Sequence, residues 1–119
     1  MNPADLFARE EDPLRLGPGE VLFRAGDDAD AMFILLDGAV DVVIGETLVE
    51  HAGRGAILGE MALVDHSPRS ATVVAREPTT LARLDERRFH RLIQQNPFFA
   101  QHVMRVLVER VRRMNTVLG

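Results

Sequence analysis

Among its 119 residues the sequence has no cysteine, no lysine and no apolar run that approaches the length of a membrane span. Without cysteine there is no disulfide framework, thiolate zinc site or cysteine nucleophile, in agreement with a reducing compartment. Without lysine in a glycine-rich loop there is no polyphosphate site of the P-loop kind. The four histidines, His51, His66, His90 and His102, are scattered and no two form a metal-ligand pairing, so neither a metal site nor a histidine-activated serine is expected. The start, MNPADLFAREEDP, is acidic rather than the basic region of a signal peptide. A soluble, cytoplasmic, non-catalytic protein is the expectation.

What is present suffices for one compact domain: hydrophobic residues make up 46% of the chain, enough for a core at this length and too little chain for two. The net charge of -4 is unevenly spread. Residues 1–60 hold 13 acids and 4 arginines (-9), whereas residues 61–119 hold 5 acids and 10 arginines (+5), so an anion belongs with the second half. That all fourteen basic residues are arginine we attribute to genomic base composition.

From residue 15 the text is short apolar runs divided by glycine and aspartate: EVLF, AMFILL, AVDVVI, AILG, then SATVVA and TTLARLD. This pattern predicts a mainly β, α+β domain, an antiparallel β-roll or jelly roll over residues 15–85, after a loosely ordered or helical segment 1–14. The DG of AMFILLDGAVDVVI predicts a hairpin, and Val40, Val42 and Ile44 predict a half-buried strand. Two terminal helices over 86–118 follow. Asp85 caps the first; Asn96 with Pro97 opens the second, in which Val103, Leu107, Val111, Met114 and Leu118 recur at helical spacing. Met104, Val106 and Val108 widen that apolar arc, which predicts a second contact surface, either the same helix of another chain or a following domain.

The stretch GEMALVDHSPRSATV, residues 59–73, carries the chemistry. GEMAL predicts one helical turn whose free N–H groups attract an anion, and Gly59 permits close backbone approach. Pro68 restricts Ser67 and so sets the approach of Arg69, while Ser70 adds a hydroxyl. One guanidinium and a half-unit dipole match a monoanionic phosphodiester. Glu60 would be repelled by that phosphate but can accept a hydrogen bond from a sugar hydroxyl. A 3′,5′-cyclic nucleotide fits both. The alternative is a loop ion pair between Glu60 and Arg69.

The same stretch resembles the phosphate-binding cassette of the cyclic nucleotide-binding domain family, found in kinase regulatory subunits, cyclic nucleotide-regulated channels and the catabolite activator protein. LGPGEVLFRAGDDADAMFILLDGAV, residues 16–40, is similar to the first strands of that family. The resemblance implies a β-roll with a short phosphate-binding helix and two C-terminal helices. It also implies roles: backbone of Gly59, Met61 and Ala62 to the ligand, Glu60 to the ribose 2′-hydroxyl, Arg69 to the cyclic phosphate, and Ser70 beside it without naming the base. Cyclic AMP is favoured over cyclic GMP. In the family the last helix closes over the base; spacing from Pro97 makes Arg110 the candidate lid residue, with Met114 one turn on.

The implied function is a sensor that signals through its C-terminal helix to an effector protein or fused effector domain, with a homodimer through that helix as a further expectation. The fifteen residues before LGPGE are fewer than the family usually has, and the chain stops where bacterial regulators continue into a helix-turn-helix. A free-standing sensor and a fragment of a transcription regulator or channel are therefore both open. A cupin-like metalloenzyme lacks its histidine cluster. Direct DNA binding through Arg105, Arg110, Arg112 and Arg113 lacks a recognition helix.

Overall fold

The computed structural model describes residues 2–118, with side chains described through residue 113. A 3₁₀ turn (Pro3–Phe7) leads into β1 (Leu14–Leu16), β2 (Val21–Phe23), β3 (Ala31–Asp37), β4 (Val40–Ile44), β5 (Thr47–Ala52) and β6 (Ile57–Leu58). Then come α1 (Met61–Val64), β7 (Thr72–Ala75), β8 (Thr79–Asp85), α2 (Glu86–Gln95) and α3 (Pro97–Leu118). The strands form two four-stranded antiparallel sheets, ordered β1-β8-β3-β6 and β2-β7-β4-β5. This is the expected antiparallel β-roll followed by helices.

The run AMFILL has no polar alternation because both faces of β3 are covered. Ala31, Phe33 and Leu35 pack between the sheets with Val40, Leu58, Val73 and Leu81. Met32 and Ile34 face the other way, into a cluster with Leu84 of β8 and with Phe7, Phe89, Phe99 and Val103 from the flanking 3₁₀ turn and helices. Phe89 of α2 and Phe99 of α3 meet edge to face, with centroids 6.4 Å apart. Both helix starts follow the sequence signals: Asp85 accepts from Arg88 N at 2.8 Å, and Asn96 Oδ1 from Phe99 N at 3.1 Å.

The DG hairpin is corrected by the topology. β3 pairs with β6 and β8, and β4 with β5 and β7, so Asp37-Gly38 carries the chain from one sheet to the other. Gly38 has φ +97°, and a Cβ there would run into the Pro78 carbonyl oxygen and lie 2.6 Å from Thr79 Oγ1. The dipeptide signals positive φ; it does not say which strands pair afterwards. The two-residue hairpin is Gly45-Glu46, between Ile44 and its partner Thr47.

In the N-terminal segment Asn2 caps the 3₁₀ turn by accepting from Ala4 N, and Ala4 and Phe7 are buried. On α3, Phe99 and Val103 are buried and Val106 and Leu107 pack beside them, whereas Met104, Val108 and Val111 are exposed. The side chains of Met114 and Leu118 lie outside the described residues. No helix is long and apolar enough, among the described residues, to cross a membrane.

Candidate ligand-binding site

Gly59 follows β6 with φ +74°, and a Cβ on it would collide with Arg69 Nη1. The expected close approach at this glycine is therefore made by the arginine ten positions on. Glu60 occupies the N-cap of α1, which is one turn long. The Ala62 amide, expected to face a ligand, donates to Gly59 O at a long 3.3 Å, and the Leu63 amide to Glu60 O at 3.1 Å.

After α1 the chain reverses through Asp65, whose carboxylate accepts from Ser67 N at 3.0 Å, and His66, in left-handed conformation at φ +58°. Hydrogen bonding from the Ser67 hydroxyl and then from its backbone N–H holds the Asp65 carboxyl below its usual range. The backbone of Arg69 is then clamped to the turn after β2: its N donates to Asp27 O at 2.9 Å and its O accepts from Gly26 N at 2.8 Å.

The Arg69 side chain is 8% exposed. Nη1 donates to Gly59 O at 3.1 Å, Nη2 to Ala31 O at 2.7 Å, and Cζ sits 4.1 Å above the Phe23 ring. Burial pushes this guanidinium below the usual arginine range, against the opposing pull of Asp30 and Asp27. Glu60 is 1% exposed, and its partner is Arg110 of α3, whose Nη1 donates to Oε1. The loop ion pair between Glu60 and Arg69 is not formed; each holds a different partner.

Two atoms are left over. Glu60 Oε2 and Arg69 Nε are buried with no hydrogen-bond partner among the described residues. A buried acceptor or donor left unpaired costs about 1–3 kcal/mol, so two such atoms on residues that line one cavity call for an explanation.

That cavity has a volume of about 220 Å³. Gly59, Glu60, Met61, Ala62, Arg69, Ser70 and Arg110 all line it, so the structure brings these seven candidates together, while the side chain of Met114 lies outside the described residues. Its floor is the outer sheet: Phe23 of β2, Val73 of β7, Val42 and Ile44 of β4, Val49 and Glu50 of β5. Val40, Val42 and Ile44 share one face of β4: Val40 is fully buried in the inter-sheet core, Val42 packs against that core and lines the cavity, and Ile44 lines the cavity while staying exposed. Arg113 closes the rim, 3.7 Å from Glu50. Phe23, Val49, Glu50 and Arg113 carry no motif in the sequence; strand register and the path of α3 bring them here. Arg110 also donates through Nη2 to Ile57 O at 3.1 Å. Its pKa is lowered by burial, with Glu50 opposing and Arg113 adding to the effect. Among the described residues there is no group of three or more His, Asp or Glu placed to hold a metal ion.

Residues 13–96 match the family model of the cyclic nucleotide-binding domain. Over 68 residues the chain is 43% identical to a patatin-like phospholipase domain-containing protein of Caenorhabditis elegans, matching 57% of this chain and 5% of that protein. Over 75 residues it is 37% identical to the cAMP-dependent protein kinase regulatory subunit of Yarrowia lipolytica, matching 63% of this chain and 20% of that protein. The chain thus spans a small part of the length of these relatives. A solved structure from a cyclic-GMP-dependent signalling pathway of bacterial phytopathogenesis superposes with TM-score 0.77 at 32% identity, covering 92% of this chain and 90% of that one.

Proposed function

This chain belongs to the cyclic nucleotide-binding domain family, and we propose that residues 1–119 act as one ligand-sensing domain that binds a 3′,5′-cyclic purine nucleotide in the cavity under α3. Arg69 takes the cyclic phosphate with Ser70 beside it, the backbone of Gly59, Met61 and Ala62 approaches the ligand, and Glu60 takes the ribose 2′-hydroxyl. Arg110 is the lid residue. The observation that carries this reading is that Arg69 and Glu60, which both line one largely apolar cavity, each keep a buried polar atom, Nε and Oε2, without a partner among the described residues. A phosphodiester and a hydroxyl supply the complementary acceptor and donor.

The domain is regulatory rather than catalytic and works in the cytoplasm. Because Arg110 holds Glu60 from α3, a ligand arriving at Glu60 acts on the terminal helix and through it on an effector protein or fused effector domain. The exposed stripe Met104, Val108 and Val111 on α3 is the surface for a homodimer, which light scattering of wild type against Val108→Glu would check. Direct DNA binding is not part of this reading: Arg110 and Arg113, two of the helix arginines, face carboxylates of the site. The expected preference for cyclic AMP has no residue to carry it at the phosphate and ribose end, which both nucleotides share.

Calorimetric titration tests the proposal. One molecule of cyclic AMP or cyclic GMP per chain is expected at micromolar affinity or better, and Arg69→Ala should weaken it at least about tenfold, the worth of a charge-assisted hydrogen bond. No binding of either nucleotide would overturn it.

A further inference from the structure

The polar groups that remain in the cavity once phosphate and ribose are placed stand at the opposite edge of its floor. Arg69 lies above Phe23 on β2, and the sheet runs β2-β7-β4-β5. β5 is therefore three strand spacings away, roughly 14 Å, where the base of a ligand anchored at Arg69 would reach. Here the wall is apolar on β4, through Val42 and Ile44, and charged on β5 and α3, through Glu50 and Arg113.

Glu50 owes its place to a bulge. Val42 pairs with Glu50 but Val43 with Leu48, so Val49 is an extra residue on β5. Val49 and Glu50 thereby both line the cavity, whereas in a regular strand successive side chains point to opposite faces. The Glu50 side chain is 32% exposed, and its contact with Arg113 is loose at 3.7 Å. Both charges are free to exchange that contact for a ligand.

We propose that Glu50, with Arg113 opposite it, reads the base and selects guanine, which makes cyclic GMP the tighter ligand. The proposal rests on the cyclic-nucleotide reading of the cavity. A carboxylate has acceptors only. Guanine presents two donors side by side, N1–H and the N2 amino group, which two carboxylate oxygens can take together. Adenine presents one amino group next to the N1 lone pair, so a carboxylate there gains one bond and meets a repulsion. Arginine repeats the choice: it donates to guanine O6 and N7, whereas adenine offers an amino group where O6 would be. The pair thus both attracts guanine and disfavours adenine.

Titration of the full chain with cyclic AMP, cyclic GMP and cyclic IMP, for wild type, Glu50→Ala and Glu50→Gln, tests this. In wild type cyclic GMP should bind roughly tenfold more tightly than cyclic AMP, with cyclic IMP, which lacks the N2 amino group, between them. Glu50→Ala should shrink the preference to within about twofold, chiefly through lost cyclic GMP affinity. Glu50→Gln should shift it toward adenine, whose N6 amino group and N1 lone pair an amide oxygen and amide NH₂ can take together. Thermal unfolding of each variant establishes that it is folded. Equal or tighter binding of cyclic AMP by wild type, or a guanine preference that survives in folded Glu50→Ala, overturns the assignment of Glu50 and leaves the cyclic-nucleotide site standing. Absence of binding by all three nucleotides overturns both.

Discussion

Arg110 and Glu60, 50 positions apart, meet over the cavity: Nη1 of the arginine donates to Oε1 of the carboxylate, and Nη2 to the Ile57 carbonyl at 3.1 Å. The carboxylate side chain is 1% exposed and the arginine side chain 25%. Deleting the arginine would therefore strand a buried charge rather than simply remove a surface contact. Because the two residues sit on α3 and at the start of α1, the same bond ties the terminal helix to the ligand-facing turn.

Arg110→Ala should lower unfolding free energy by about 2 kcal/mol, below the 3–5 of a fully buried pair because the arginine is partly solvated. Urea denaturation measures this. A midpoint equal to wild type would show that the contact adds nothing to stability.

Glu60 has one oxygen engaged by Arg110 and one without a partner. If Oε2 takes the ribose hydroxyl, a 2′-deoxy cyclic nucleotide should bind about tenfold more weakly than its parent, since the acceptor stays buried and unpaired. In Glu60→Ala the two ligands should bind alike. A gap that persists in that variant would move the ribose contact elsewhere.

Gly59→Ala should damage the site without removing any charged group. Its φ of +74° disfavours a side chain, and the added Cβ occupies the place of the Arg69 guanidinium. A stability loss of about 1–3 kcal/mol is expected from the backbone alone. Cyclic nucleotide affinity should fall with it, because Arg69 must leave the Gly59 carbonyl. Unchanged affinity in a folded variant would mean that Arg69 does not need this position.

His102 on α3 titrates below its ordinary value of 6.5, first because burial disfavours the imidazolium and then because Arg105 repels it, with Glu109 opposing. The unfolded chain therefore binds the proton more readily than the folded one. Stability should decline as pH falls from about 7 through 6.5 toward the lower folded value. His102→Gln should flatten that decline in thermal scans between about pH 7 and 5.5. An identical slope in the variant would assign the pH dependence to other groups.

Much of the site was legible because its residues are close in sequence. Gly59, Glu60, Arg69 and Ser70 lie within one turn-and-strand stretch, where local rules for glycine, proline and helix starts apply. Asp85, Asn96 and Pro97 announced both terminal helices for the same reason. The pairing of Asp37-Gly38 was not legible, since a turn signal fixes backbone angles and leaves open which sheet the next strand joins. Nor were Phe23, Val49, Glu50 and Arg113, whose meeting depends on strand order, on a bulge and on where α3 crosses the cavity.

The sequence by itself determined the chemistry on offer: an acid and a guanidinium framed by small residues, ahead of a buried strand, in a chain without cysteine or lysine. Only the tertiary structure decided how those two charges are used. Pairing between distant side chains is settled by packing: α3 brings Arg110 to Glu60, while Arg69 is held by the carbonyls of Gly59 and Ala31 over the Phe23 ring. The residues that looked like partners in one short loop are therefore separate anchors, each with one atom still to satisfy.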